Sequence, residues 1–422
     1  MIKLTKLRWV IAGLLLLATI INYADRLTLS VVLSEVRKTF PLSEAGYSHI
    51  VVLFMVAYAI AYAVSGYVVD RLGTRRGMGV FIGAWSAAQM LQALARGKWS
   101  LGACQFSLGL CEAGNFPAGV KAIGEWFPPE LRALGVGLVN SGSALGLALA
   151  PPLAAFVTLR YGWRAAFLFT GSLGLILLLA WLSLYQPPQQ NRWLAEGERR
   201  SLAASTAPLA ERAAAGKAGG SAWTILCQRQ CYTLFLARFF SDPVVYFLEF
   251  WIPSYLHKAR GFDLAMIGKY AWVPFVFGYV GYLGGGWLSG RLLGAGMTLA
   301  KARKSAMAVG ALLVPAAMLV PRAPNAALAL AALCLVVLGH AVWVTNLLTL
   351  PADLFPGTEV GTASGFTGMG GALGGIITSL GIGFVLSHFS YTPLFLCAGL
   401  MHPLALVLVW TMLPERYFEG RG

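Results

Sequence analysis

Ionisable side chains stand where this sequence otherwise reads as oil. INYADRLTLS, residues 21–30, sets Asp25 beside Arg26 at the end of an apolar run that begins near Trp9. LGACQFSLGLCEAGNFPAGVKAIGEWF, residues 101–127, carries Glu112 near its centre. ARFFSDPVVYFLEFWIPSYLHKARGF, residues 237–262, holds Arg238, Asp242 and Glu249, and LGHAVWVTNLLTLPADLFPG, residues 338–357, holds His340. A charge at mid-bilayer costs about 2.5–3.5 kcal/mol on insertion scales, so each such residue is a functional hypothesis by default. The chemistry open to them is narrow: a cation can grip an anion, and a carboxyl group in a low-dielectric site is suited to proton uptake and release.

Spacing distributes these roles. Asn22 and Arg26 are four apart and share a helix face that Tyr23 flanks, whereas Asp25 is turned about 100° aside. Arg26 therefore points into a cavity and Asp25 towards a neighbouring helix; a structural Asp–Arg ion pair is the competing reading. Gln105, Glu112 and Asn115 fall roughly on one stripe of the fourth span, with Lys121 and Glu125 an i,i+4 packing or gating pair. In the seventh span Tyr246 and Trp251 offer flat faces for a sugar ring, beside Glu249 and a bend at Asp242-Pro243. In the tenth, Trp343, Thr345 and Asn346 gather near His340; Asn346 both donates and accepts, as hydroxyl recognition requires. His340 alone reads as a satisfied buried histidine.

Only a membrane scaffold positions such residues. Of 422 residues 58% are hydrophobic and 12% charged, and mean hydropathy is +0.69. The fold class expected is all-α integral membrane, with twelve transmembrane helices at about 9–36, 44–70, 77–95, 99–127, 131–159, 163–185, 229–257, 263–293, 303–320, 326–353, 358–389 and 392–413. The first is read as a retained span, for it lacks a small-residue cleavage site. The formal charge of +15 collects in one set of alternate loops, including Lys3, Lys6, Arg8, Arg71, Arg75, Arg76, Arg199, Arg200, Lys301 and Lys304. That bias places both termini in the cytoplasm and leaves no charge for nucleic acid to explain. Six cysteines lie in or at the ends of spans and read as small buried hydrophobes.

The polar stretch 186–222 divides an N-terminal six-helix bundle, 1–185, from a C-terminal one, 223–422. It reads as a cytoplasmic linker, with room for a short amphipathic helix around 192–213. The halves echo each other: GYVVDRLGTRRG (66–77) follows the second span and GWLSGRLLGAGMTLAKARK (286–304) the eighth. In the first copy Gly66 admits close helix approach, Asp70 pairs with an Arg or accepts from a neighbouring helix N-terminus, and Arg71, Arg75 and Arg76 anchor the loop. In the second, Gly286 and Arg291 remain but Gly290 stands where Asp70 did. These positions are expected to gate or to transmit conformational change. The eleventh span opens on GTASGFTGMGGALGG, suited to a closely packed gating helix; no phosphate-loop Lys follows.

Twelve spans, a central linker and this echoed loop resemble the major facilitator superfamily. INYADRLTLSVV, GLCEAGNFPAGVKAIGEWFPPELRALG, SDPVVYFLEFWIPSYL and VTNLLTLPADLFP further resemble its anion:cation symporter family, closest to bacterial hexuronate and aldonate transporters. The resemblance implies two pseudo-symmetric six-helix bundles alternating about a central cavity, and proton-coupled import of a sugar acid across the bacterial inner membrane. It implies that Arg26 grips the carboxylate, that Asp25 and Glu112 exchange protons, and that Tyr23, Tyr47, Tyr58, Trp343, Thr345 and Asn346 shape the hydroxyl site. It also implies no enzyme activity and no cofactor; the partners are a small organic anion, protons and the bilayer, with a monomer as the default. Two departures stand out: Gln105 occupies a place where many relatives have Arg, and Glu249 one where an apolar residue is usual. Either the substrate is monoanionic and rich in hydroxyls, or coupling has moved towards Glu249. The alternative is another organic anion transporter or exchanger of the same fold with different ion coupling. The fifth span's SGSALGLALAPPL (141–153) lacks the Gly-Pro-Gly-Gly pattern of drug antiporters and argues against that branch.

Overall fold

A computed structural model of the chain describes residues 7–191, 222–262 and 272–418, with scattered positions between 193 and 202 and at 266 and 270. Helices account for nearly all of it, and no strand occurs among the described residues. The first seven are α1 (Leu7–Thr39), α2 (Glu44–Leu72), α3 (Thr74–Leu91), α4 (Lys98–Glu112), α5 (Asn115–Trp126), α6 (Pro129–Tyr161) and α7 (Trp163–Leu184). The next six are α8 (Arg229–Arg260), α9 (Val273–Gly294), α10 (Leu299–Leu313), α11 (Ala326–Leu354), α12 (Val360–His388) and α13 (Thr392–Met412).

Local chemistry sets the ends. Ser43 caps α2 by accepting from the Gly46 amide at 3.0 Å. Gly73, at φ +76°, turns α2 into α3 through a conformation closed to most side chains. Pro315 lacks an amide proton, and the chain beyond Leu313 tightens into a 3-10 turn, Val314–Leu319. Among the described residues, eight helices are long and apolar enough to cross a membrane. On α2, Val52, Val56, Ile60 and Val64 repeat every four residues and are all exposed, an apolar stripe turned outward. In water this stripe would be a liability; in a bilayer it is the surface that meets the acyl chains.

One span differs from the sequence expectation. The fourth is two helices, interrupted by a turn at Ala113 and Gly114 just after Glu112. Both residues keep right-handed dihedrals, so the chain runs on without reversing. The Phe81 ring lies over Gly114, and the Ser65 hydroxyl donates at 3.2 Å to the Ala113 carbonyl, which Pro117, four residues on, has no amide proton to bond. The eighth, expected from 263, is described as a helix over Val273–Gly294, and most of 263–271 lies outside the described residues. So does most of the helix expected around 192–213.

The chain forms two compact units. Unit 1 comprises Met1–Pro128, Leu138–Ala222 and Phe355–Gly365; unit 2 comprises Pro129–Gly137, Trp223–Leu354 and Phe366–Gly422. Thus α6 and α12 each begin in one unit and continue in the other. Within unit 1, α2 packs on α4 and α3 on α7; within unit 2, α9 packs on α11 and α8 on α13. One core gathers Leu29, Val32, Ile50, Leu101, Val157 and Phe167. The other gathers Phe247, Ile252, Leu333, Val336 and Phe395.

Candidate functional site

The densest chemistry of unit 1 surrounds Arg26 on α1. Its Nη2 lies 3.0 Å from Glu112 Oε2 of α4, and its Nε donates to the same oxygen at 3.1 Å. Nη2 also donates to Asn22 Oδ1 at 3.4 Å, as the four-residue spacing requires. Three rings enclose the guanidinium: its carbon lies 4.7 Å from the Tyr23 centroid, 5.1 Å from Phe54 and 4.7 Å from Tyr58. Aromatic faces attract a guanidinium and exclude water from it. Tyr58 stacks on Phe54, and Tyr23 meets Phe116 edge-on. The Arg26 side chain is 25% exposed and Glu112 is fully buried, so the cation shows a face that its partner does not. Glu112 Oε1 is buried without a hydrogen-bond partner among the described residues.

Asp25 points elsewhere. Both its carboxylate oxygens are buried and outside hydrogen-bond geometry; Thr170 of α7 is the polar side chain beside them. Gln105 does not join the Arg26 cluster but donates to Gln92 at 2.9 Å. Asn115, beyond the interruption, donates to Thr19 at 3.2 Å, so the expected stripe of Gln105, Glu112 and Asn115 is not one face of one helix. Tyr47 is half-buried against the unit 1 core.

In unit 2 the expected hydroxyl-binding residues are turned inward. Trp343 is fully buried, edge-on to His402 with centroids 5.7 Å apart, and presents no open face for a sugar. Thr345 donates to the Tyr282 carbonyl at 3.2 Å, and Asn346 to the Gly285 and Val342 carbonyls at 3.1 and 3.0 Å. The bonds to Tyr282 and Gly285 tie α11 to the glycine-rich α9, whose missing side chains leave its backbone carbonyls within reach. His340 is not alone: its Nδ1 lies 3.1 Å from His402 Nε2. Arg238 and Asp242 pair along α8, Nε to Oδ2 at 2.7 Å. Tyr246 is half-buried with its ring over Gly375. The Glu249 side chain lies outside the described residues.

The echoed loops lead to two further clusters. In unit 1, Asp70 accepts from the Gly361 and Thr362 amides at 3.1 and 2.7 Å, and from the Thr362 hydroxyl at 2.7 Å. The second alternative open to Asp70 is therefore the one taken, a helix N-terminus. A Cβ on Gly66 would overlap the Gly361 carbonyl, which is why that crossing needs glycine. Lys121 pairs with Asp70 at 2.7 Å rather than with Glu125, which accepts from Thr74 and Tyr185. Arg71 lies over the Tyr67 ring, Arg75 reaches the Leu182 carbonyl, and Arg76 is exposed.

In unit 2 a Cβ on Gly286 would meet Ala133 and Leu134 backbone at 2.5 and 2.6 Å, and Arg291 lies over Trp287. The carboxylate there is Asp353, bound by Arg132 at 2.6 Å and by Arg303 at 2.7 Å, all three buried. Asp353, Arg132 and Arg303 escaped sequence reasoning. A signal existed, since each is a charge close to a span end, as Asp70 is.

Among the described residues no group of His, Cys, Asp and Glu could hold a metal ion. The sequence model of the Major Facilitator Superfamily matches residues 15–379. A hexuronate transporter of Escherichia coli K12 is 32% identical over 416 residues, covering 98% of this chain and 96% of that protein. A galacturonate transporter of Dickeya chrysanthemi is 35% identical over 288 residues, 68% of this chain and 83% of its own. Among solved structures, a proton:xylose symporter superposes with a TM-score of 0.76 at 17% identity, covering 96% of both chains. The human organic anion transporter MFSD10 gives 0.70 at 19% identity, over 95% of this chain and 99% of that one. At such identities the two structures speak to the fold alone.

Proposed function

Because the chain belongs to the Major Facilitator Superfamily, a multi-pass membrane transporter rather than an enzyme, we propose that it imports a hexuronate or a closely related sugar acid together with protons. Named relatives carry hexuronate, galacturonate and galactonate, which supports the substrate class. The single observation that carries the mechanism is the Arg26–Glu112 pair: a partly exposed guanidinium, ringed by aromatics, whose partner is a buried carboxylate with one empty oxygen.

A substrate carboxylate has the shape and charge of Glu112 and competes with it for Arg26. Once displaced, Glu112 is an unpaired charge out of water, a state that costs several kcal/mol. Taking a proton on Oε1 relieves that cost. Anion binding and proton uptake thus belong to one event, which is symport. Asp25, buried and without a cation of its own, supplies a second proton site. The Lys/Arg bias puts both termini in the cytoplasm of a bacterial inner membrane, and each bundle keeps its own core, which fits a working monomer.

Uptake of labelled galacturonate, glucuronate, gluconate and galactonate into proteoliposomes, with and without an inward proton gradient, tests this reading. A gradient should drive accumulation of at least one; transport of none, or transport indifferent to the gradient, sinks it. Removing the cation from a buried charged contact costs about 2–5 kcal/mol, so Arg26→Ala should lower affinity on the order of 100-fold or more. Glu112→Gln should keep exchange of bound substrate and lose gradient-driven accumulation. Normal accumulation by that variant would make Glu112 structural.

A further inference from the structure

A line of carboxamides crosses unit 1 from α4 to α1. Gln105 donates through Nε2 to Gln92 Oε1 at 2.9 Å, and Gln92 donates to Gln89 Oε1 at 2.6 Å. Gln89 donates to Thr170 Oγ1 at 2.8 Å and reaches the Asp25 main-chain carbonyl at 3.3 Å. All five residues are buried. Every bond runs in the same sense, each amide giving its proton to the next member on the way to Asp25. The Thr170 oxygen accepts from Gln89, which leaves its own proton free to turn to the carboxylate beside it.

Such a line is costly unless every member is satisfied, and apolar side chains would fill the same space at less risk. Aligned donors also polarise one another, so the end of the line senses the state of its start. The ionisable group that bears on Asp25 is Glu112 from α4; Arg26, the next residue on α1, is turned to Glu112. The neighbouring helices α3, α5 and α7 present Gln89, Asn115 and Thr170 towards α1, none of which titrates. The carboxamide line is therefore the main polar connection between Asp25 and the rest of the unit.

We propose that Gln105, Gln92, Gln89 and Thr170 form a directed hydrogen-bond relay that ties the protonation state of Asp25 to α4, so that Gln105 is a positioning residue for Asp25 and not a substrate ligand. This rests on the proton-coupled reading above. When Asp25 takes a proton, its carboxyl gains a donor, and the Thr170 hydroxyl beside it, held through its oxygen by Gln89, is the group placed to turn in response. That rotation disturbs Gln89, which holds the α1 backbone immediately before Arg26. The relay thereby connects a proton site to the helix that carries the anion site.

The test is galacturonate uptake by reconstituted protein across a pH series, for the wild type and for Thr170→Val, Gln92→Leu and Gln105→Met. Thr170→Val preserves shape and should displace the pH of half-maximal uptake by about half a unit or more, with KM within about twofold. Gln92→Leu should do the same, and Gln105→Met should act in the same direction by less. If Gln92→Leu does not fold, Thr170→Val still decides. A gradient-dependent wild type whose variants all keep its pH profile overturns the relay alone. So does a Gln105→Met variant that raises KM without moving the profile, because a substrate ligand would behave that way. A wild type indifferent to the gradient overturns the proton-coupled reading and the relay with it.

Discussion

The loop-end clusters of the two units solve one problem with different residues. In unit 1 a carboxylate on α2, Asp70, receives two backbone amides and a hydroxyl from the start of α12, and pairs with Lys121. In unit 2 the residue in the echoed position is Gly290, and the carboxylate has moved to the end of α11, where Asp353 receives two guanidiniums. Both arrangements place a negative charge where a glycine-backed helix crosses the first turn of another. What is preserved is a charge at the crossing, not a residue at a position. Unit 1 meets its carboxylate with backbone amides as well as side chains, whereas unit 2 meets its own with two guanidiniums.

That contrast orders the consequences of breaking each cluster. Asp353→Ala strands Arg132 and Arg303, both buried, beside one another without an anion. Breaking a buried pair in this way costs about 3–5 kcal/mol, so the variant should lose most of its folded yield and its thermal stability in detergent. Adding Arg303→Met removes one orphan and should recover part of the loss. An Asp353→Ala variant as stable as wild type would show that the cluster contributes nothing.

Asp70→Asn should cost less, about 1–3 kcal/mol. The amide keeps an oxygen for one Thr362 donor and gives up the ion pair with Lys121. Melting temperature in detergent and initial uptake rate both report it. Exchanging the charges, Asp70→Lys with Lys121→Asp, should not rescue function, because the Gly361 and Thr362 amides need an acceptor at position 70. Rescue would mean that the ion pair matters and the helix N-terminus does not.

These clusters also mark how far sequence carried the reading. Twelve spans, the Arg26–Asn22 face and the divergent direction of Asp25 were legible, because hydropathy and the 3.6-residue period are local properties. The turn at Ala113–Gly114 has a local sign, Pro117, which has no amide proton to give the Ala113 carbonyl four residues before it; what a sequence does not show is the Ser65 hydroxyl of α2 that takes its place. Lys121 and Glu125 looked like an i,i+4 pair, and each found a stronger partner on another helix. Trp343, Thr345 and Asn346 are expected from the resemblance to shape the hydroxyl site; a sequence shows which side chains can bond hydroxyls and not which backbone carbonyls a glycine-rich neighbour offers Thr345 and Asn346. Asp353 with its two arginines was missed because its partners lie 50 and 221 residues away.

The mildest break lies beside Asp70, in the turn before α12. Burial raises the pKa of the Glu359 carboxyl, and the nearby Asp70 carboxylate raises it further. A carboxyl raised in the folded chain holds a proton that the unfolded chain has already released, so its ionisation opposes folding. The penalty is absent below the ordinary carboxylate range of about 4.3, grows as pH rises and is complete above the folded-state value. Glu359→Gln abolishes the titration and relieves the repulsion of Asp70. It should therefore melt slightly higher than wild type at neutral pH, with the difference shrinking to nothing in acid. A gap that persisted or widened on acidification would show that the amide helps through a new hydrogen bond, and that the negative field of Asp70 is already fully absorbed by Lys121 and the α12 amides.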